Sequence, residues 1–438
     1  MENLEKAIQG KTATVAVIGL GYVGLPVACT LAQTGFKVLG IERDQAKAAR
    51  ISKGASPISD QEPGLVELLT EALSSGRLQV GTDHELCGQA DVILIAVETP
   101  VDADSRAPSY EALRGALTSL APHLKPGALV IVESTIAPGT MQDVVRPLLE
   151  ESSALKASED FHLAFCPERV MPGKLLANLR ECNRVIGGAT PEAAELARQL
   201  YRHFVRADLD ITDTLTAELV KATENTYRDV QIAFANEIAL LCENVGADVH
   251  QVRELVNKSP LRAMHVPGAG VGGHCIPKDP WLLLHGTQGK LQARLIPTAR
   301  SINDDMPIHV AQLAEESLAS AGVAMQGAKV AVLGYAYLEN TSDARNSPTI
   351  PLLERLRAVG ATVTIHDPHF QEYGLDLEEA VSGSDCVILM VAHDEYRDLD
   401  LADLRAWVST PALIDGRNLW QKTRAEDLGF IYAGVGNR

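Results

Sequence analysis

ATVAVIGLGYVGLP, residues 13–26, begins as a β-branched run and turns at once through Gly19-Leu20-Gly21-Tyr22-Val23-Gly24. Residues 13–18 have the make-up of a short buried strand, and the apolar spacing from Leu25 to Gln33 is that of a helix. Gly35 closes the helix, and Lys37–Ile41 reads as a second strand that ends at Glu42. Strand, glycine turn, helix and strand in that order form a β-α-β unit with GxGxxG at its first turn. In such a unit the glycines admit a pyrophosphate to the helix N-terminus, and an acid about 20 residues on takes the ribose hydroxyls. Gly19, Gly21, Tyr22, Val23, Gly24 and Glu42 are the expected cofactor contacts. A carboxylate at position 42 repels a 2′-phosphate, so NAD is expected rather than NADP.

Strands at Asp91–Val97, Ala128–Val132 and His162–Phe165 extend a parallel sheet. Their ends carry Thr99-Pro100, Glu133-Ser134-Thr135 and Cys166-Pro167-Glu168, in the loops where such sheets hold ligands. Taken singly, each loop is also ordinary turn chemistry. From Thr212 to Val245 there is no Gly or Pro, and Leu215, Leu219, Val220, Tyr227, Phe234, Ile238 and Leu241 recur at helical spacing. The expectation is one long helix stopped by Gly246, with Lys221, Asn225 and Arg228 on one face. A second α/β unit opens at Lys329–Tyr335 and continues through a helix at Ile350–Ala358 and strands at Thr362–Asp367, Asp385–Val391 and Ala412–Ile414. It has Gly334 but no GxGxxG. The fold class is therefore α/β, two Rossmann-like doubly wound parallel-sheet domains joined by a long central helix. The expected boundaries are 1–205, 206–325 and 326–438.

The 438 residues are too many for one small core, and 46% hydrophobic with 22% charged residues is ordinary globular composition. A formal net charge of −18 argues against nucleic acid or an anionic membrane as partner. The cysteines form no CxxC pair, so they read as reduced thiols of a cytoplasmic protein. MENLEKAIQGK lacks the apolar core of a signal peptide, and the longest apolar runs are strand-sized. His274 and Cys275 are adjacent without ligand spacing, so no metal is expected.

GVGGHCIPKDP, residues 270–280 with Trp281 closing the run, presents one thiol between a glycine-rich approach and a proline-flanked Lys278–Asp279 pair. A buried packing cysteine needs neither the close backbone approach of glycine nor the stiffness of proline. The alternative is a nucleophile. Beside a nicotinamide site, a thiolate is useful when an alcohol must be oxidised twice: it adds to the aldehyde, and the adduct is oxidised to a thioester that water releases as an acid.

With these stretches in place, the chain resembles the UDP-glucose/GDP-mannose dehydrogenase family over essentially its whole length. The matching stretches are VAVIGLGYVGLP, VESTIAPGT, CPERVMPG, AELVKATENTYRDVQIAFANEIA, PGAGVGGHCIPKDP and TSDARNSP. CPERVMPG, the NRVIGG run and GVGGHCIPKDPW are most similar to the branch acting on UDP-N-acetylhexosamines, UDP-N-acetyl-D-mannosamine foremost. The glucose branch has a second glutamate where this chain has Pro172, and the lysine usual after the aromatic residue at Tyr337 is here Leu338.

The resemblance implies Cys275 as nucleophile and Lys221, one turn before Asn225, as support for the oxyanion. It implies Asp279 as orienter of that lysine or activator of water, and Glu168 and Thr135 as positioners of water. It adds Lys47, Thr99, Thr135 and Arg345 to the NAD contacts. On the substrate side it implies Arg169, Val170, Lys221, Asn225, Arg228, the Pro267–Gly272 loop with Gly270, and Arg417, and more loosely Arg262 and His265. It further implies a UDP-sugar substrate, a uronate product for polysaccharide biosynthesis and a homodimer or higher homo-oligomer. Within the family, UDP-N-acetylglucosamine and UDP-glucose stand as alternative substrates. Outside it, a single-step hydroxyacid dehydrogenase has no use for Cys275, and a non-catalytic nucleotide-binding protein has no use for the thiol and Lys221 together.

Overall fold

The computed structural model describes residues 2–58, 62–102, 104–287 and 289–438. The chain divides into two compact units, Met1–Glu224 with Trp281–Leu291, and Asn225–Pro280 with Gln292–Arg438.

The first unit is built on an eight-stranded sheet: β1 (Thr14–Ile18), β2 (Lys37–Ile41), β3 (Leu78–Gly81), β4 (Val92–Ile95), β5 (Leu129–Val132), β6 (His162–Phe165), β7 (Arg184–Gly188) and β8 (Leu209–Asp213). Their order across the sheet is β3-β2-β1-β4-β5-β6-β7-β8. The order reverses between β1 and β4, the place where open α/β sheets leave a crevice at the strands' carboxyl ends. Alternate residues of β1 feed two cores, Val15 and Val17 on one face and Ala16 and Ile18 on the other. This two-sided burial is why the parallel strands read as continuous apolar runs.

The register fixes where the loops emerge. Ile18 pairs with Ile41 and with Ile95, Ile95 with Val132, and Val132 with Phe165. The next residue along each strand, Gly19, Glu42, Ala96, Glu133 and Cys166, therefore leaves the sheet at one edge.

Three details depart from the sequence reading. The strands expected at Asp91–Val97 and Ala128–Val132 shorten to β4 and β5, because their ends peel into loops. β3, β7 and β8 are additional strands, β3 and β8 being short and partly exposed. The sheet also contains one antiparallel pair, β6 with β7. The chain leaves β6, spends Cys166–Lys174 on a loop and Leu175–Glu181 on a short helix, and re-enters from the edge it left.

In the second unit β9 (Lys329–Leu333), β10 (Thr362–His366), β11 (Cys386–Leu389), β12 (Ala412–Asp415) and β13 (Ile431–Gly434) form an all-parallel sheet of order β10-β9-β11-β12-β13. The last strand was not legible in the sequence. The long helix runs Thr214–Val245, 32 residues that begin in the first unit and end in the second. Asp213 starts it by accepting from Thr216 N at 2.9 Å and Thr216 Oγ1 at 2.6 Å. Gly246, at φ +75°, ends it.

Candidate active site

The crevice of the first unit begins with two glycines that must touch. A Cβ on Gly24 would lie 1.9 Å from the Gly19 carbonyl oxygen, and Gly19 itself has φ +90°. A Cβ on Gly21, by contrast, would meet nothing within 4 Å. The loop thus packs helix against strand at its outer glycines and leaves open space at the middle one, which is the shape a pyrophosphate needs. Glu42 is buried, accepting from Leu20 N and Asp44 N at 3.2 Å each and pairing with Lys47 Nζ at 2.8 Å. Gly19, Gly21, Glu42 and Lys47 line one cleft of about 440 Å³ together with Ala96, Val97 and Glu98. The residues present fit a dinucleotide: an open glycine, a helix N-terminus and a fixed carboxylate at the ribose end.

The loops after β4 and β5 are laced together beside it. Thr99 Oγ1 donates to the Thr135 carbonyl at 2.6 Å, and Ser134 Oγ to the Val97 carbonyl at 2.6 Å. Glu218, on the long helix, accepts from Gly139 N and Met141 N, both at 2.7 Å, and so holds the far end of the Thr135 loop. Burial is the largest influence on this carboxyl and pushes it up to about 7, against the pull of the two amides. Three residues further on, Lys221 is buried with no hydrogen bond or ion pair from its ammonium to a described residue.

The loop after β6 stands on a buried network. Tyr201 Oη donates to Glu133 Oε1 at 2.6 Å, and Arg184 lies 3.6 Å from the same oxygen with its guanidinium over the Tyr201 ring. Above it, Glu168 is buried and accepts from Val170 N. Arg169 is engaged within the protein, its Nε donating to Glu224 Oε2 at 3.0 Å and its two remaining nitrogens to Glu224 and the Asn183 carbonyl. Arg169 therefore shapes the loop, and the exposed apolar group there is Met171.

In the second unit the thiol of Cys275 is exposed, whereas five of the other six cysteines are buried and Cys182 is half-buried. Its glycine approach is obligatory. A Cβ on Gly272 would lie 2.6 Å from Tyr337 Cβ, and one on Gly273 would lie 2.7 Å from the Tyr337 ring. Gly273 N donates to the Arg345 carbonyl at 2.8 Å, and Asn346 Nδ2 to the Gly273 carbonyl at 3.0 Å. On its other side, the Cys275 carbonyl accepts from Lys278 N and Asp279 N at 3.1 and 2.9 Å, starting the helix Asp279–His285. Asp279 is fully buried, with Asn225 Nδ2 donating to its Oδ2. Its Oδ1 lies 3.2 Å from Lys278 Nζ but makes no hydrogen bond among the described residues.

Burial, with Lys278 and Arg345 nearby, drops His274 to about 4, so this ring is neutral at pH 7. The hydrogen bond to Asp343 raises the Arg345 guanidinium above its usual range. Arg345, assigned to NAD by resemblance, thus sits beside the thiol loop of the second unit, while the glycine fingerprint belongs to the first.

The remaining substrate candidates of this unit gather at one loop. Arg300 pairs with buried Asp229, Asn303 Nδ2 donates to Asp229 at 2.8 Å, Asn236 Nδ2 donates to Asn303 Oδ1 at 2.8 Å, and Gly268 N donates to Asn236 Oδ1 at 2.9 Å. Gly270, at φ +116°, could not carry a Cβ without pressing Pro348 and Pro307. Arg417 donates through Nε to the Met390 carbonyl at 2.6 Å, and its Nη1 lies 3.0 Å from where a Gly268 Cβ would be. Arg228 is exposed and close enough to lower the His265 pKa, after burial. Among the described residues, Arg262 reaches only the Pro260 and Leu261 carbonyls, at 3.4 Å each. Sequence reasoning missed Glu62, Glu218, Glu224 and Asn346; of these, Glu218 and Glu224 carried a signal, their i, i+3 spacing to Lys221.

A dinucleotide cleft at a sheet switch point, in a chain that also presents an exposed thiol on a glycine-forced loop, defines a nicotinamide-dependent oxidoreductase. Residues 13–205 match the NAD binding domain of the UDP-glucose/GDP-mannose dehydrogenase family, residues 215–305 its central domain and residues 331–422 its UDP binding domain. The chain is similar to the UDP-N-acetyl-D-mannosamine dehydrogenase of Pyrococcus horikoshii, 40% identical with a TM-score of 0.91 over 97% of this chain and 99% of that one. It is also similar to an NDP-N-acetyl-D-galactosaminuronic acid dehydrogenase from Methanosarcina mazei (36%, TM-score 0.89, 100% and 98% covered). A UDP-glucose dehydrogenase from Pyrobaculum islandicum follows at 30% and TM-score 0.86, with 97% and 98% covered. The chain belongs to the UDP-glucose/GDP-mannose dehydrogenase family. It is an NAD-dependent nucleotide-sugar dehydrogenase.

Two outcomes follow from these carboxylates. With Glu42 held at the ribose end, kcat/KM for NAD should exceed that for NADP by on the order of a hundredfold, since opposed like charges cost several kcal/mol. Steady-state kinetics with both cofactors checks this, and equal values would contradict it. Glu218 has a raised folded-state pKa, so its contribution to stability is present below its unfolded pKa and is lost as pH rises through about 7. The melting temperature of Glu218→Gln relative to wild type should therefore climb between pH 5 and pH 8. A pH-independent difference would show that the carboxyl titrates normally.

Proposed function

We propose that the protein oxidises the C6 alcohol of a UDP-N-acetylhexosamine, UDP-N-acetyl-D-mannosamine foremost, to the uronate, an acidic donor for polysaccharide assembly. The observation that carries the two-step oxidation is the presentation of Cys275: an exposed thiol on a backbone where only glycine fits, next to the hydrogen-bonded Asn225–Asp279 pair. Bound NAD supplies the hydride acceptor, one molecule for each of two oxidations.

The chain's own groups do the rest. The Cys275 sulfur bonds to the aldehyde carbon left by the first oxidation, and the resulting alkoxide takes a proton or a hydrogen bond from Lys221, with Asn225 as a second donor. After the second oxidation the carbon is a thioester. Water, held by Glu168 and Thr135 and deprotonated with the help of Asp279, adds to it and the C–S bond breaks, returning the thiol. Gly19 to Gly24, Glu42, Lys47, Thr99, Thr135 and Arg345 hold the cofactor. Val170, Arg228, the Gly270 loop and Arg417 hold the nucleotide sugar, with Arg262 and His265 at its margin. Residues 1–205, 206–325 and 326–438 act as cofactor, central and UDP-sugar modules.

The loop Cys166–Gly173 supports the N-acetyl sugar. Pro172 takes away the second carboxylate of the glucose branch, and Met171, 48% exposed, offers an apolar surface for the acetyl methyl. Arg169 acts through the loop, since Glu224 and Asn183 hold its donors. The relatives named for N-acetylated sugars support the same reading.

The long helix supports a homodimer. Leu215, Leu219, Tyr227, Phe234, Leu241 and Val245 are each at least 41% exposed along it, a length of apolar surface ill suited to water.

A purified-enzyme panel of UDP-N-acetyl-D-mannosamine, UDP-N-acetylglucosamine, UDP-N-acetylgalactosamine and UDP-glucose should give the highest kcat/KM for the first, with two NADH per sugar. Cys275→Ser should lose uronate formation by at least on the order of a thousandfold while NAD affinity by calorimetry is retained. Preference for UDP-glucose sinks the sugar assignment, and wild-type turnover in Cys275→Ser sinks the covalent route. Light scattering should return twice the 47.0 kDa chain mass, and Phe234→Asp with Leu241→Lys should return the single chain; a monomeric wild type overturns the dimer.

A further inference from the structure

Glu62 is buried at 5% exposure and belongs to neither loop that it joins. Its Oε1 accepts from Tyr22 Oη, inside the glycine fingerprint, and from Gly173 N at 2.8 Å. Its Oε2 accepts from Leu175 N at 3.1 Å. A carboxylate has about four acceptor sites, so one side chain can serve all three donors, whereas an amide in its place offers one oxygen and turns two of its own donors toward them. The loop Cys166–Gly173 has a second anchor that does not touch the fingerprint, Met171 N donating to Asn178 Oδ1 at 3.0 Å.

We propose that Glu62 is a positioning residue that ties the cofactor's glycine loop to the sugar-side loop Cys166–Gly173, so that binding NAD orders the latter. The backbone of Tyr22 lies between Gly21 and Gly24, where the pyrophosphate seats. Fixing that backbone fixes the phenol, the phenol fixes the carboxylate, and the carboxylate holds the two amides that end the loop. The chain of contacts is unbroken and lies within one unit. The meaning of that loop as a sugar contact rests on the function proposed above; the tie itself does not.

Hydrogen exchange on the full-length protein with NAD alone, and no sugar, reads the tie directly. At saturating NAD, confirmed by calorimetry for each variant, the peptide carrying Gly173 and Leu175 should exchange about fivefold more slowly in wild type, at the low end of ordinary site-to-site couplings. Asn178→Ala should exchange faster throughout and still respond to NAD, because its lesion is purely local. Tyr22→Phe, which removes one hydroxyl, and Glu62→Gln should both lose the response. No NAD response in wild type, or an undiminished one in Tyr22→Phe, would overturn the proposal. The sugar panel succeeds or fails independently of this result.

Discussion

Parallel strand pairing is the constraint from which the site follows. Ile18, Ile41, Ile95, Val132 and Phe165 lie in one hydrogen-bonded row, so five loops must leave the sheet at the same edge. Each loop then differs by the residue that follows the row: a glycine for close approach, a carboxylate for the ribose, a small alanine, a buried glutamate, a cysteine. The chemistry of the loops is variable, but their convergence is not. The antiparallel turn into β7 ends this series and leaves the Cys166–Gly173 loop as its last member.

Buried carboxylates hold these loops still. Glu42, Glu62, Glu218, Asp367 and Asp415 each accept two backbone N–H groups from loops they do not belong to, or from the turn that follows them. A backbone amide cannot follow a mutation or swing away as a side-chain donor can, so such pairs set loop geometry firmly. They also carry a desolvation cost. For Glu218 and Asp415 that cost prevails and raises the pKa. For Asp367 burial pushes the same way, but His393 and two amides outweigh it and the pKa falls.

Comparison of the two sheets shows why one binds a dinucleotide and the other does not follow its pattern. Both have an acid just past the second strand of their first β-α-β unit. Glu42 keeps one face in the cleft. Asp367 is fully buried, accepting from Tyr335 N at 2.6 Å, Ala336 N at 2.9 Å and His393 Nε2 at 3.1 Å. Gly334 is also spent, since its Cβ position lies 2.5 Å from Val391. The same architecture has therefore closed its ribose site and left Arg417 and the Gly268–Gly270 turn as the polar features near its strand ends.

The fingerprint, the core strands and the long helix were legible in the sequence because each depends on neighbours within a few residues. β-branched runs make β1 and β2, glycine spacing makes their turn, and a Gly- and Pro-free stretch stopped by Gly246 makes the helix. Cys275 was legible for the same local reason. The edge strands β3, β8 and β13 were not: β3 and β8 carry few buried positions and little pattern, and β13, though largely buried, is only four residues long. Glu62 left no trace at all: its partner Gly173 is 111 residues away, and nothing near either residue announces the other. Arg169 shows the converse. Its sequence position suggests a ligand contact, and only the fold reveals Glu224, 55 residues on, holding its guanidinium. Local periodicity and backbone freedom are written in adjacent residues, so the sequence alone determined the elements and the kind of chemistry. Which side chains are spent on holding loops, and which remain for a ligand, depends on residues far apart in the chain, and the tertiary structure decided it.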